Sequence, residues 1–302
     1  MANLQLNLTT TREQAELYSD TLLDAGALSI TFLDAKEDPI FEPKPNTTPL
    51  WKLTQIVGLF ELDTDMDAVK SLIQKQLGEA ALHGLFVNTL PDQAWERVCM
   101  DQFHPMQFGK HLWICPSWNT PPDPLATTIL LDPGLAFGTG THPTTRLCLE
   151  WLDAHPPYQK QVLDYGCGSG ILSIAALKLK AAQVYAVDYD PQALQSTKDN
   201  AEKNGYIDNQ ILTLLPEDFT PILALPGGIA NTDLILANIL ANPLITLAPQ
   251  FAQWLKPNGQ LVLSGILITQ VDILLEAYEK WFENVQVTTL EQWSRITFTK
   301  RN

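Results

Sequence analysis

Cysteine is scarce in this chain. There are four in 302 residues, Cys99, Cys115, Cys148 and Cys167, with no Cys-x-x-Cys and no histidine pair at metal spacing. That pattern excludes a disulfide frame and a zinc site, and suits free thiols in a reducing compartment. Basic residues are also few, 19 Lys and Arg against 34 Asp and Glu, a net charge of −15. Such a surface repels phosphates and attracts basic partners, so direct nucleic-acid binding is not expected. No apolar run approaches the ~18 residues of a membrane helix. Met1-Ala2-Asn3-Leu4-Gln5-Leu6 has neither a basic start nor a long apolar centre, so no signal peptide is expected. A cytoplasmic, monomeric protein is the expectation. Internal repeats and low-complexity tracts are missing too.

What is present is 45% apolar residues and a length that suits two domains. Residues 1–92 read as the first. Leu4, Leu6 and Leu8 alternate with polar residues, as in a half-buried strand. Thr10 or Thr11 is the expected cap of a helix to Ala25, with Ala15, Leu17, Leu22 and Leu23 on its apolar side. Strands follow over 28–33, 53–62 and 85–90, with a second helix opened by Asp65 or Asp67. Pro39 to Pro49 is a loop, and His83 a loop histidine. The order β-α-β-β-α-β is that of a ferredoxin-like α+β sandwich. Residues 1–95 hold 6 Lys and Arg against 14 Asp and Glu, the more acidic part of the chain per residue. Solubility or a docking face for a basic protein would each account for it. Residues 93–128 mix aromatics with prolines, among them Trp95, Phe103, Phe108, Trp113, Trp118 and Pro124, and read as an extended linker that packs on something.

Residues 129–302 alternate strands and helices, which implies a parallel doubly wound sheet with its ligand at the strands' carboxyl ends. The centre of this part is Val162-Leu163-Asp164-Tyr165-Gly166-Cys167-Gly168-Ser169-Gly170-Ile171-Leu172. A buried strand runs into three alternate glycines and then a helix. Glycine allows close approach of a ligand to the backbone, and the helix presents free N–H groups. A dinucleotide fingerprint would need glycine where Ile171 stands, so the loop leans away from NAD. Asp188 ends the next strand, 18 residues after Gly170, a place for a carboxylate that accepts ribose hydroxyls. Cys167 reads as a small filler residue. Upstream, a loop from Leu131 through Gly138-Thr139-Gly140-Thr141-His142-Pro143-Thr144-Thr145 runs into a helix over 146–154, with Thr144 or Thr145 as its cap. His142 could carry a proton, but shaping the loop is the favoured reading. Asp190 and Pro191 start a helix that stops at Asn204-Gly205. Strands follow over 211–215 and 232–237, the latter ending at Asn238. Glu217 and Asp218 are weaker candidates for an adenine. Lys256-Pro257-Asn258-Gly259 is a turn before a strand over 261–264, and a helix covers 271–281. Residues 285–288 and 294–299 form a closing antiparallel hairpin.

The loop Leu131–Thr145, the glycine turn Val162–Leu172 and Asn238-Ile239-Leu240-Ala241 closely resemble the PrmA family. The likeness covers nearly the whole chain, including Leu28–Phe32 and Trp113-Ile114-Cys115-Pro116-Ser117-Trp118. The resemblance implies a class I methyltransferase, Rossmann-like, that uses S-adenosylmethionine to methylate a protein of the large ribosomal subunit. It carries cofactor contacts to Thr145, Gly166, Asp188 and Asn238. It implies repeated methylation of an N-terminal amine and of lysine side chains, with the acidic first domain as recognition module. Asn238 suits the chemistry, because its amide oxygen accepts an N–H without adding a titrating charge. The backbone carbonyls of Ile239 and Leu240 could accept others. One departure stands out: Asn242 occupies a place where the family usually has Gly or Ala. Competing readings are an RNA methyltransferase, opposed by the acidic composition, and a non-catalytic binder of the same cofactor. Because one site must meet chemically different amines, movement between the domains is also expected.

Overall fold

The computed structural model describes residues 2–36, 40, 47–91, 103–123, 125–132, 138, 140–207, 209–219 and 232–302. Trp95, Cys99, Pro124, residues 133–137, Thr139 and most of the 39–49 prolines lie outside them. The chain forms two compact units, Met1–Val98 and Cys99–Asn302. Among the described residues, no helix is long and apolar enough to cross a membrane.

The first unit contains β1 (Asn3–Thr11), α1 (Ala15–Asp24), β2 (Ser29–Asp34), β3 (Leu53–Glu61), α2 (Met66–Leu77) and β4 (Phe86–Leu90). Its sheet order is β2-β3-β1-β4, every pair antiparallel, which is the ferredoxin-like arrangement. Leu6, Leu8, Ile56 and Phe60 face Tyr18, Leu22, Val69 and Ile73 in one core. Two local expectations need correction. No threonine caps α1, because β1 stays paired through Thr11 and a short 3₁₀ turn, Arg12–Gln14, intervenes. Leu17 and Leu23 are exposed; the buried stripe is Ala15, Tyr18 and Leu22, the spacing a helix requires. Asp65 caps α2 as expected, accepting from Asp67 and Ala68 N–H at 3.0 and 3.2 Å.

The second unit opens with a small sheet, β5 (Met106–Phe108), β6 (Leu112–Cys115) and β7 (Thr127–Leu130). Sequence suggested an extended linker here. Instead Phe108, Leu112, Ile114 and Ile129 are fully buried in the core of this unit, and that burial orders the segment. Then come α3 (Pro143–Ala154), β8 (Gln161–Tyr165), α4 (Ile171–Lys178), β9 (Gln183–Val187), α5 (Pro191–Lys203), β10 (Ile211–Leu214), β11 (Thr232–Asn238), α6 (Ala241–Trp254), β12 (Leu255–Leu267), α7 (Val271–Tyr278), β13 (Phe282–Leu290) and β14 (Trp293–Lys300). The seven-stranded order is β10-β9-β8-β11-β12-β14-β13, parallel except where β14 meets β12 and β13. This is a class I methyltransferase sheet with a closing antiparallel hairpin.

Successive residues of each central strand enter opposite cores. Val162, Val184, Leu234 and Val262 pack with α3 and α4 residues such as Leu149, Leu152 and Ile174. Leu163, Tyr185, Ile235 and Leu261 pack with Leu244, Phe251, Leu274 and Tyr278 on the other side. Lys256 to Gly259 is not a separate turn: β12 begins at Leu255, and the pairing with β11 skips from Leu255 to Gln260 as a bulge with Asn258 at φ 60°.

Candidate active site at the strand ends

Helix α3 starts three residues earlier than expected. His142 is its N-cap and Pro143 its first residue, a position that costs proline nothing. The His142 ring accepts from Thr144 N–H at 3.3 Å and lies 2.7 Å from Thr144 Oγ1. It meets the Trp293 ring edge-on at 4.8 Å. Burial lowers the His142 pKa. The histidine is therefore a helix cap, which replaces the expectation of Thr144 or Thr145 in that role. Both threonines are buried in the first turn.

Thr145 reaches the end of β11. Asn238 Nδ2 donates to Thr145 Oγ1 at 3.3 Å. With its NH₂ held there, the amide is oriented and Asn238 Oδ1 retains acceptor capacity.

The glycine turn follows β8. Gly166, Gly168 and Gly170 have φ of 81°, 55° and 78°, a region that L side chains enter at a cost. At Gly166 a Cβ would also run into Ile239 Cγ2, so the turn can pass beside the residue after Asn238 only as glycine. Gly166 N–H donates to Val187 C=O at 2.7 Å, and Gly168 N–H donates to Asp188 Oδ2 at 2.9 Å. Asp188 Oδ1 accepts from Asp190 N–H at 3.0 Å. The acid expected to take ribose hydroxyls thus also braces the loop. Ser169 Oγ donates to Gly138 C=O at 2.6 Å, fastening the upstream loop to the glycine turn.

The structure brings the four expected residues to neighbouring strand ends as two linked pairs, Thr145 with Asn238 and the Gly166 turn with Asp188. Ile239, lodged against Gly166, joins the pairs. Glu217 and Asp218 are exposed beyond β10. Cys167 is buried and its thiol is pushed well up by that burial, as suits a filler and not a nucleophile.

Sequence reasoning missed several residues. Asp164 is buried, accepts from Ser173 Oγ at 2.6 Å, and has Oδ1 without a hydrogen-bond partner. Burial raises its pKa to about 6. A carboxylate inside an apolar strand was the available signal. Thr197 Oγ1 donates to Gly168 C=O at 3.0 Å, and Asn200 Nδ2 to Ser169 C=O at 2.9 Å. They hold α5 against the loop, and no local pattern marks them.

The family model described as ribosomal protein L11 methyltransferase (PrmA) matches residues 2–301. A protein named ribosomal protein L11 methyltransferase from Marinomonas sp. (strain MWYL1) is 47% identical over 300 residues, 98% of each chain. One of the same name from Actinobacillus pleuropneumoniae serotype 5b (strain L20) is 50% identical over 302 residues, all of both chains. A solved structure described as ribosomal protein L11 methylase from Lactobacillus delbrueckii subsp. bulgaricus is 34% identical, with a TM-score of 0.57, over 66% of this chain and 100% of that one.

Proposed function

The chain belongs to the PrmA family of ribosomal protein L11 methyltransferases, and on that premise we propose that it moves methyl groups from S-adenosylmethionine to the N-terminal α-amino group and lysine ε-amino groups of L11. The site fits such a cofactor on two counts. Asp164 Oδ1 is a buried acceptor with no partner beside the glycine turn, suited to a cationic ligand. Gly166 keeps clear the space that any side chain would fill. Gly166 and Thr145 would hold the cofactor's body, Asp188 its ribose, and Asn238 its reactive end.

When bound, the sulfonium supplies an electrophilic methyl group for an in-line displacement. The chain's own task is positioning, which is worth ~7–11 kcal/mol in well-oriented cases. An ammonium has no lone pair, so the acceptor must arrive neutral. An α-amino group has a pKa of ~8, and desolvation lowers it; lysine at ~10.4 needs more help. Asn238 Oδ1 accepts an N–H of the neutral amine and aims its lone pair. An amide does this without a charge that would favour the protonated amine. The acidic first unit serves as the recognition module for a basic ribosomal protein, in the cytoplasm, and the enzyme works as a monomer without binding nucleic acid directly. Asn242, beside the acceptor turn, tunes substrate fit.

The observation that carries this reading is the Asn238–Thr145 contact next to the glycine turn. The test is intact mass of purified L11 after incubation with the enzyme and S-adenosylmethionine. Stepwise one-methyl increments that vanish with Asn238→Ala, while calorimetry still shows cofactor binding, support it. Unchanged turnover by Asn238→Ala removes Asn238 from the mechanism.

A further inference from the structure

Ser264 is the last residue of β12 paired with β11, directly opposite Asn238. It is fully buried. Its hydroxyl is 3.2 Å from Thr144 C=O and 3.1 Å from Ser294 C=O, one proton between two acceptors. One side chain therefore links the first turn of α3, the closing strand β14 and the strand beside Asn238.

The next residue, Gly265, has φ 83°. A Cβ there would fall among the backbone O, C and N of Ile239. Ile239 is already confined from the β8 side by Gly166. The residue after Asn238 is thus gripped between two glycines, one after β8 and one within β12. Meanwhile the residue beside Asn238 is tied to the helix turn that carries Thr145.

We propose that Ser264 and Gly265 are positioning residues for the methyl acceptor. Ser264 fixes the height of Thr144 and Thr145, and so the Thr145–Asn238 contact. Gly265 fixes the path of Ile239, whose carbonyl belongs to the same acceptor turn. Neither residue needs to touch substrate; both act by holding the amide that does. Small displacements matter here, since a 1 Å misplacement can cost about a hundredfold in rate. The inference rests on Asn238 as the group that orients the amine.

The test is a double-mutant cycle on the full chain with L11 at saturating S-adenosylmethionine. Ser264→Ala and Gly265→Ala are each expected to lower kcat at saturating cofactor about ten- to a hundredfold, with a smaller fall in calorimetric affinity for the cofactor. Thr145→Val breaks the contact itself. Ser264→Ala added to Thr145→Val should cost little more than Thr145→Val alone, because both act through one contact. Fully additive losses, or a Ser264→Ala enzyme as fast as wild type, overturn the proposal. If Ser264→Ala does not fold, Ser264→Cys, close in volume and a weaker donor, runs the same cycle. Wild-type protein that binds no S-adenosylmethionine would instead overturn the function proposed above, a result separate from any difference among variants.

Discussion

Asp164, fully buried near the end of β8, has its pKa raised to about 6 because burial disfavours its charge, and the Ser173 hydroxyl and backbone N–H offset only part of that. Its folded pKa lies above the unfolded one. The stabilisation it brings is therefore complete below about 4 and is lost as pH rises through about 6. Urea unfolding across that window should show the loss in wild type and a flatter profile in Asp164→Asn. His142 has the opposite sign. Its folded pKa is depressed by burial, so its contribution is complete above the ordinary histidine range and lost as pH falls through the lowered value. His142→Asn should keep the cap, since asparagine caps well, and remove that slope. Asp188→Ala deletes the acceptor of both Gly168 and Asp190 N–H. It is expected to weaken S-adenosylmethionine binding by ~1–3 kcal/mol per lost bond, readable by calorimetry.

Elements owe their placement to a few buried polar clamps. Asn204, at the end of α5, accepts from Leu130 N–H at 2.9 Å and donates to Leu130 C=O at 2.8 Å. It completes the edge of β7 as a neighbouring strand would. Asn204→Ala should cost ~1–3 kcal/mol of stability and speed amide exchange at Leu130, while leaving the sheet core protected. Gly166→Ala should be worse. The left-handed backbone alone costs ~1–2 kcal/mol, and the new Cβ displaces Ile239. Thermal unfolding measures the first effect and loss of turnover the second. Some elements could not be read from the sequence at all. Helix α6 contains Pro249 in its interior, which argues against a helix, yet Leu244, Ala248 and Phe251 bury a full stripe and hold it. The small sheet β5-β6-β7 was hidden by the prolines that flank its strands, among them Pro105 and Pro116.

For the whole molecule, charge is the long-range property. At −15 overall, with its first third the more acidic per residue, the chain attracts a basic protein before any contact forms. Added salt should therefore raise KM for L11 several-fold by slowing encounter. The affinity for cofactor, held by buried short-range bonds, should change much less. Steady-state kinetics and calorimetry over one salt series separate the two.

The chain's local patterns were enough for the two fold classes, the glycine turn and Asp188 as a ribose candidate; resemblance to the PrmA family added Thr145, Gly166 and Asn238 as cofactor contacts. Alternation, caps and strand-end residues are properties of neighbours in sequence, and they survive without tertiary contacts. Only the folded structure joined Asn238 to Thr145 across 93 residues. It also made His142 a cap, left Asp164 with a bare oxygen, and set Ser264 and Gly265 behind the acceptor turn. Those facts depend on which strand ends lie side by side, and that order, β8 next to β11 next to β12, is decided by packing on both faces of the sheet rather than by any stretch of sequence alone.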